Sequence, residues 1–316
     1  MRALRRWTSV CLVVTLSVIG ATSVVAGEQK VVLGQIQLSF YAVAGAVIQG
    51  VLETLGHPVE VREGVHETIF PALGRGEVDL LAAAWLPGAH AIYWAQYKDQ
   101  AIELATLYDG ARLFWAVPDY VPESLVRSVD DLLKPDVASK MAKTIRGIGA
   151  GSGLMMGSKK MMTEYGLEQA GYELVPGPPK DWIGNFEKAV AERRWVIIPL
   201  WRPQFLNKAY RVRPLDEPKR LLGGTDRAVL VANKEFPNRF PAKTVDTLRR
   251  IDLGVDAVTE MDYMVNVERK SPREAAKVWM ARNADRVQSW MGRNRGDRDT
   301  RLLTPSQGRA KEAVGR

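Results

Sequence analysis

The chain has 316 residues, 46% hydrophobic and 25% charged; that is enough for about two domains and excludes a wholly disordered chain. A mean hydropathy of −0.15 excludes a multi-span membrane protein. The single cysteine, Cys11, excludes a disulfide framework or a cysteine-based zinc site, and His57, His66 and His90 leave little for a histidine-rich metal site, so no metal or cofactor is expected.

The net charge of +8 resides at the two ends: the first 26 residues contribute +3, the last 24 contribute +4, and residues 27–292 only +1. A nucleic-acid binder carries its charge on the folded surface, so nucleic acid is not an expected partner.

Met1–Trp7 is basic, Val10–Val25 is apolar apart from small Ser, Thr and Gly, and Val24-Val25-Ala26 offers small residues before Gly27. This three-part pattern over 1–26 is that of a secretory signal, with an uncleaved anchor as the other reading. Cys11 opens the apolar stretch instead of following it, which argues against a lipobox, and Arg5-Arg6 is a weak hint of twin-arginine export. An exported chain without a lipid anchor is expected in a periplasm.

Next comes a strand over Val31–Gly34, a helix over Val43–Leu55 ended by Gly56 and Pro58, a strand over Val59–Val61 and a helix over His66–Leu73. The apolar strand Val78–Ala84 follows and runs into Trp85-Leu86-Pro87. Arg112–Val117 and Ala228–Asn233 are apolar and β-rich, candidates for two strands that cross between lobes. The second half repeats the first: a strand over Thr144–Ile148, the glycine-rich Gly149–Gly153, a helix over Leu154–Gln169, a strand over Tyr172–Val175 and a helix over Trp182–Glu192. Its last strand, Trp195–Leu200, runs into Trp201-Arg202-Pro203. Phe236–Trp290 is expected to be helical and to pack back on the first lobe, and 293–316 is expected to be a disordered basic tail.

The two Trp-x-Pro corners lie 116 residues apart, and the same shift carries Phe70 to Phe186 and Leu38 to Leu154. Two βαβαβ units at matched spacing predict an α/β chain of two similar lobes, each a mainly parallel sheet flanked by helices. Ligands of such sheets bind beyond the carboxyl ends of the strands, where both corners fall. Trp85 and Trp201 then either face each other across one cleft or cap their own strands as core residues.

Gly149-Ala150-Gly151-Ser152-Gly153 follows a strand and opens a helix, yet Leu154 breaks G-x-G-x-x-G, no Gly-Lys-Ser/Thr follows, and G-x-S-x-G is not met. The segment offers backbone N–H groups at a positive helix end to an anion such as a carboxylate, or it is a tight turn with no ligand. No Ser/His/Asp group shows an active-site spacing.

Ala84-Trp85-Leu86-Pro87-Gly88-Ala89-His90, followed by Tyr93 and Tyr97, resembles the periplasmic glycine betaine/proline betaine binding proteins of ABC importers. The resemblance spans about residues 30–292 and takes in Gly151–Met155, Trp201-Arg202-Pro203, Asp216–Lys219 and Ser271–Ala276. It implies a two-lobed type II binding-protein fold, with lobe 1 over 27–112 plus 228–292 and lobe 2 over 113–227. It also implies a non-catalytic receptor for a quaternary ammonium zwitterion, expected as a monomer and partnered by a permease and, through it, an ATPase. Residue by residue, Trp85 and Trp201 match two walls of an aromatic cage, His90 the carboxylate-binding histidine, and Gly153 and Leu154, after Ser152, the backbone donors.

Three departures stand out. Leu38 takes the place of the third cage tryptophan, and Phe40, Tyr41 or Phe70 either replaces that wall or belongs to the core. The family's W-x-P-H-W becomes Trp201-Arg202-Pro203-Gln204-Phe205, and Arg202 is either a cation beside the cleft or a solvated surface residue. These changes leave open a different small carboxylate or amino-acid derivative as ligand; an exported α/β hydrolase using Ser152 and His90 is the rival from another class.

Overall fold

The computed structural model describes residues 29–292; the expected signal over 1–26 and the expected tail over 293–316 lie outside the described residues. In chain order the first unit is β1 (Val31–Ile36), α1 (Ser39–Thr54), β2 (Val59–Gly64), α2 (His66–Gly74) and β3 (Leu80–Leu86), followed by α3 (Ala91–Tyr97) and the long β4 (Ala101–Pro118). After α4 (Pro135–Ala138) the second unit runs β5 (Thr144–Arg146), α5 (Gly153–Glu164), β6 (Glu173–Val175), α6 (Pro179–Ala191) and β7 (Ile198–Arg202). The chain ends with α7 (Leu206–Ala209), β8 (Val212–Pro214), β9 (Thr225–Asn233), α8 (Phe236–Arg239), α9 (Ala242–Arg249), α10 (Val255–Asn266), α11 (Pro272–Arg282) and α12 (Ala284–Trp290).

Seven strands share one sheet in the order β2-β1-β3-β9-β4-β7, with β8 added beside β4, and β5 and β6 form a second, two-stranded sheet. β3 is buried at every position, which is why its sequence is an unbroken apolar run and not an alternation. The βαβ strands are parallel as expected: β1 with β2 and β3, and β5 with β6. β9 and β4 run antiparallel to their neighbours, so the sheet is mixed.

β4 pairs with β7 of the second unit and with β8 and β9, which follow that unit. Its first part pairs with β9 as far as Arg112, and from Arg112 onward it pairs with β7 and then β8. Of the two candidate crossing strands, Arg112–Val117 pairs with β7 and β8, with Arg112 also beside Thr225 of β9, and Ala228–Asn233 pairs with β3 and β4.

Helix boundaries moved for local reasons. α1 begins four residues before the expected Val43, so Phe40 and Tyr41 stand on its first turn. α5 stops at Glu164 instead of continuing to Gln169, because Gly166 at φ +66° takes up the left-handed backbone that ends helices. Phe236–Trp290 is helical but divides into α8 to α12, of which α10 and α11 pack on α1. The Ser271–Ala276 string is a helix start: the Ser271 hydroxyl accepts from Glu274 N, the Glu274 carboxylate accepts from Ser271 N, and Pro272 fills the first position, which needs no N–H.

Candidate functional site

Trp85, near the end of β3, is 1% exposed, and its indole N–H donates to the Tyr108 hydroxyl at 3.0 Å. Its backbone N–H donates to His90 Nδ1 at 2.9 Å, within the turn that leads into α3. A backbone N–H can only donate, so Nδ1 must hold a lone pair. Burial keeps the imidazole well below its usual pKa and therefore neutral. The remaining proton then sits on Nε2, which lies 3.5 Å from the Tyr41 hydroxyl and is a donor. The turn is held from below by Asp226, at the start of β9, whose carboxylate accepts from Gly88 N at 2.6 Å and Ala89 N at 2.9 Å.

The second corner sits on β7. Trp201 is 3% exposed and stacks on Trp182 of α6, with ring centroids 4.8 Å apart and planes 16° from parallel. Trp182 donates to Pro199 O at 3.1 Å, whereas Trp201 Nε1 is buried with no acceptor among the described residues. Gln204 is buried, and its Oε1 accepts from Leu206 N. Arg202 is exposed and pairs with Asp256 at 3.4 Å, so it is a surface residue.

The two tryptophans approach one another through Phe40. Its ring centroid is 5.5 Å from that of Trp85 and 5.5 Å from that of Trp201. Such distances fall within the range of favourable aromatic pairs. Tyr41 lies against Phe40 at 3.9 Å and reaches Trp85 at 6.1 Å. Phe70 does not join them: it stacks on Tyr93 at 4.7 Å and meets His90 edge-on at 5.1 Å, supporting the imidazole. Leu38, at the start of α1, lines two cavities, of about 490 and 270 Å³, between the first-unit and second-unit elements.

The glycine-rich turn meets the Trp85–His90 turn directly. A Cβ at Gly153 would run into the Ala89 carbonyl, so only glycine permits this approach. Tyr93 Oη donates to Gly151 O at 2.8 Å across the same junction. Ser152 caps α5 by accepting from Met155 N at 3.2 Å, which commits its hydroxyl to the helix. Among the described residues Ser152 and His90 share no hydrogen bond: the Ser152 hydroxyl accepts from Met155 N and His90 Nδ1 from Trp85 N. Leu154 is buried behind the cap.

Ring contacts link Trp85, His90, Tyr41, Phe40 and Trp201, Gly153 meets the Trp85–His90 turn with buried Leu154 next to it in the chain, and Leu38 and Gln204 share the wall of one cavity. The sequence reading missed Trp182, Tyr108, Tyr93 and Asp226. Among the described residues no group of three or more His, Cys, Asp or Glu could hold a metal, and no helix is long and apolar enough to cross a membrane.

Fold and junction define a two-lobed α/β binding protein of type II. The model of the substrate binding domain of ABC-type glycine betaine transport systems matches residues 29–282, and the chain belongs to that family. It is similar to the glycine betaine/carnitine transport binding protein GbuC of Listeria monocytogenes, 26% identical over 157 residues, which are 50% of this chain and 52% of GbuC. It thus spans about half the length of that curated relative. The structure matches ProX of Borrelia burgdorferi, a glycine betaine, L-proline ABC transporter binding protein, with TM-score 0.76, 22% identity and coverage of 83% of this chain and 96% of the other. It also matches lactococcal OpuAC in its closed conformation with glycine betaine, with TM-score 0.75, 23% identity and coverage of 83% and 99%. An ABC-transporter choline binding protein with bound choline matches with TM-score 0.74, 16% identity and coverage of 85% and 93%. These structural likenesses bear on the fold.

Proposed function

We propose that the protein is a non-catalytic periplasmic receptor that closes two lobes over a small zwitterion, an N-methylated cation with a carboxylate, and delivers it to the permease of an ABC importer; its partners are that permease and, through it, the ATPase. The observation that carries this reading is the meeting of Trp85, Phe40 and Trp201, with Phe40 5.5 Å from each tryptophan. A quaternary ammonium has no N–H to donate, so aromatic faces are what can hold it, each giving roughly 0.5–2 kcal/mol. In this reading Phe40 supplies the wall that Leu38 does not.

The carboxylate goes to the donor side of the junction. His90 Nε2–H and the Gly153 and Leu154 amides, which precede the capped Met155 N–H at the positive end of α5, are suited to it. Lobe 1 would comprise 27–112 plus 228–292 and lobe 2 would comprise 113–227, with β4 changing partners at Arg112 as the passage between them. Ligand contacts made from both lobes favour closure by hinge motion.

A thermal-shift screen tests this, because a ligand that binds the folded state raises its stability by mass action. Glycine betaine or a larger betaine should raise Tm where free glycine does not. A shift with unmethylated amino acids and none with any betaine would overturn the reading.

A further inference from the structure

The second corner of the junction is held from behind. Trp201 Nε1 has no acceptor among the described residues, so no hydrogen bond at the indole sets its place. The backbone that follows is tied down instead. Phe205 N, at the end of the Trp201-Arg202-Pro203-Gln204-Phe205 string, donates at 2.7 Å to Oδ2 of Asp262, a carboxylate on α10 that is 0% exposed. Asn266 Nδ2 donates to Asp262 Oδ1 at 2.9 Å and to Ser39 Oγ at 3.0 Å, and the Ser39 hydroxyl also bonds to the carboxylate. Ser39 opens α1 immediately before Phe40. One carboxylate thus joins the chain after Trp201 to the chain before Phe40, whose ring centroids are 5.5 Å apart.

Stability alone does not account for an acid at this place. The partners of Asp262 are an amide, a carboxamide and a hydroxyl, all neutral donors. Burial pushes its pKa up to about 6, the mark of a charge that the fold carries at a cost. What the carboxylate holds is the site. Asp262 belongs to the proposed lobe 1 and Phe205 to the proposed lobe 2. Ser39, Phe205 and Asn266 line the cavity of about 490 Å³, and Asp262, to which all three bond, is not part of that wall. α10 meets the same stretch again at the surface, where Asp256 pairs with Arg202 at 3.4 Å and the Tyr263 ring lies 4.7 Å from Lys208 Nζ.

We infer that Asp262 is the positioning residue of the second corner: through the Phe205 amide and the Ser39 hydroxyl it holds Trp201 and Phe40 together on the ligand cation, and so sets the preference for a fully methylated ammonium over one that keeps an N–H. It does not touch the ligand. Aromatic faces offer an N–H no ordinary acceptor, whereas methyl groups need none. A displaced corner admits water, which accepts from an N–H and gives nothing to a methyl, so the preference falls. This rests on the betaine reading above and extends it from the ends of the ligand to what keeps the cage in register.

The experiment is calorimetric titration at pH 7.5 of the wild-type protein, Asp262→Asn, Trp201→Ala and the double variant, with thermal denaturation alongside. The probes are glycine betaine and N,N-dimethylglycine, which share the carboxylate and the positive charge and differ in one methyl against an N–H. The wild type should prefer glycine betaine by about tenfold, the worth of one donor left unpaired. Asp262→Asn keeps the shape and removes the charge; it should reduce that preference at least about threefold while Tm holds or rises, because a costly buried charge is gone. In the Trp201→Ala background it should change the preference no further, since both act at one wall. Should Asp262→Asn not fold, Ser39→Ala, which removes one donor to the carboxylate, decides by the same ratio. An unchanged ratio, or a fall that recurs in full in the Trp201→Ala background, would overturn the inference and leave the receptor reading standing; so would a wild type that binds both probes equally. Binding of neither probe by the wild type would overturn the betaine reading and this inference with it.

Discussion

The corners at Trp85 and Trp201 carry the same Trp-x-Pro signature at matched strand ends, yet their surroundings differ in kind. At the first, the indole N–H goes to Tyr108, the backbone N–H to His90 Nδ1, and the Gly88 and Ala89 amides to Asp226. At the second, the indole N–H is orphaned, the stacking partner Trp182 comes from a helix, and a cavity opens alongside. A repeated motif has produced one rigid anchor and one adaptable wall. In the proposed reading the first corner presents a fixed donor, His90 Nε2–H, to the ligand.

This contrast can be broken by substitution. Trp85→Ala should be the more damaging to the fold, costing roughly 3–5 kcal/mol, the usual range for emptying a tryptophan site in a core. Trp201→Ala should lower Tm less and instead cost roughly 1–3 kcal/mol in ligand binding, measured by calorimetry. Equal stability losses in chemical denaturation would remove the distinction between anchor and wall.

Acid tests the first corner as a whole. Burial holds His66, which packs 5.1 Å from His90, at a pKa of about 4. A folded-state pKa below the unfolded value contributes stability that is complete above about pH 6.5 and is lost as the pH falls through about 4, in all about 3 kcal/mol. Asp262, buried and raised to about 6, acts in the opposite sense: its contribution is present at low pH and lost as the pH rises through about 6. Denaturation at pH 4.5 and 7 should show that His66→Gln loses less stability on acidification than the wild type. Equal losses would remove His66 as the source.

Asp226→Ala should cost about 1–2 kcal/mol, because two part-buried amides lose their acceptor, and it should weaken ligand binding as His90 loses its support. Gly153→Ala is expected to leave each lobe folded and to weaken binding by roughly 1–3 kcal/mol, since the added methyl meets backbone and the turns must part. Unchanged affinity in the glycine variant would show that the turns need not touch in the ligand-bound form.

The two βαβαβ units, both corners, the glycine-rich helix start and His90 were legible in the sequence, because strand ends, glycines and Trp-x-Pro strings are local signals. The antiparallel placement of β4 and β9 was not, since strand direction is decided by what lies beside a strand and not by its residues. Phe40 was one of three equivalent candidates until α1 proved to begin at Ser39, which put its ring between the tryptophans. Trp182 had no signal beyond that of a helix start, and Asp226 was a lone carboxylate in Thr225-Asp226-Arg227; only the fold brings them to Trp201 and to the Gly88-Ala89 turn.

The central claim is that one ligand is held by its cation on aromatic faces and by its carboxylate at His90 and the α5 start. Parallel calorimetric titrations of the wild-type protein with glycine betaine and with choline, the same cation without the carboxylate, test both ends at once. The account predicts that glycine betaine binds and that choline binds at least about tenfold more weakly, about 1.4 kcal/mol, within the range of one charge-assisted hydrogen bond. Choline binding as tightly as glycine betaine would contradict it.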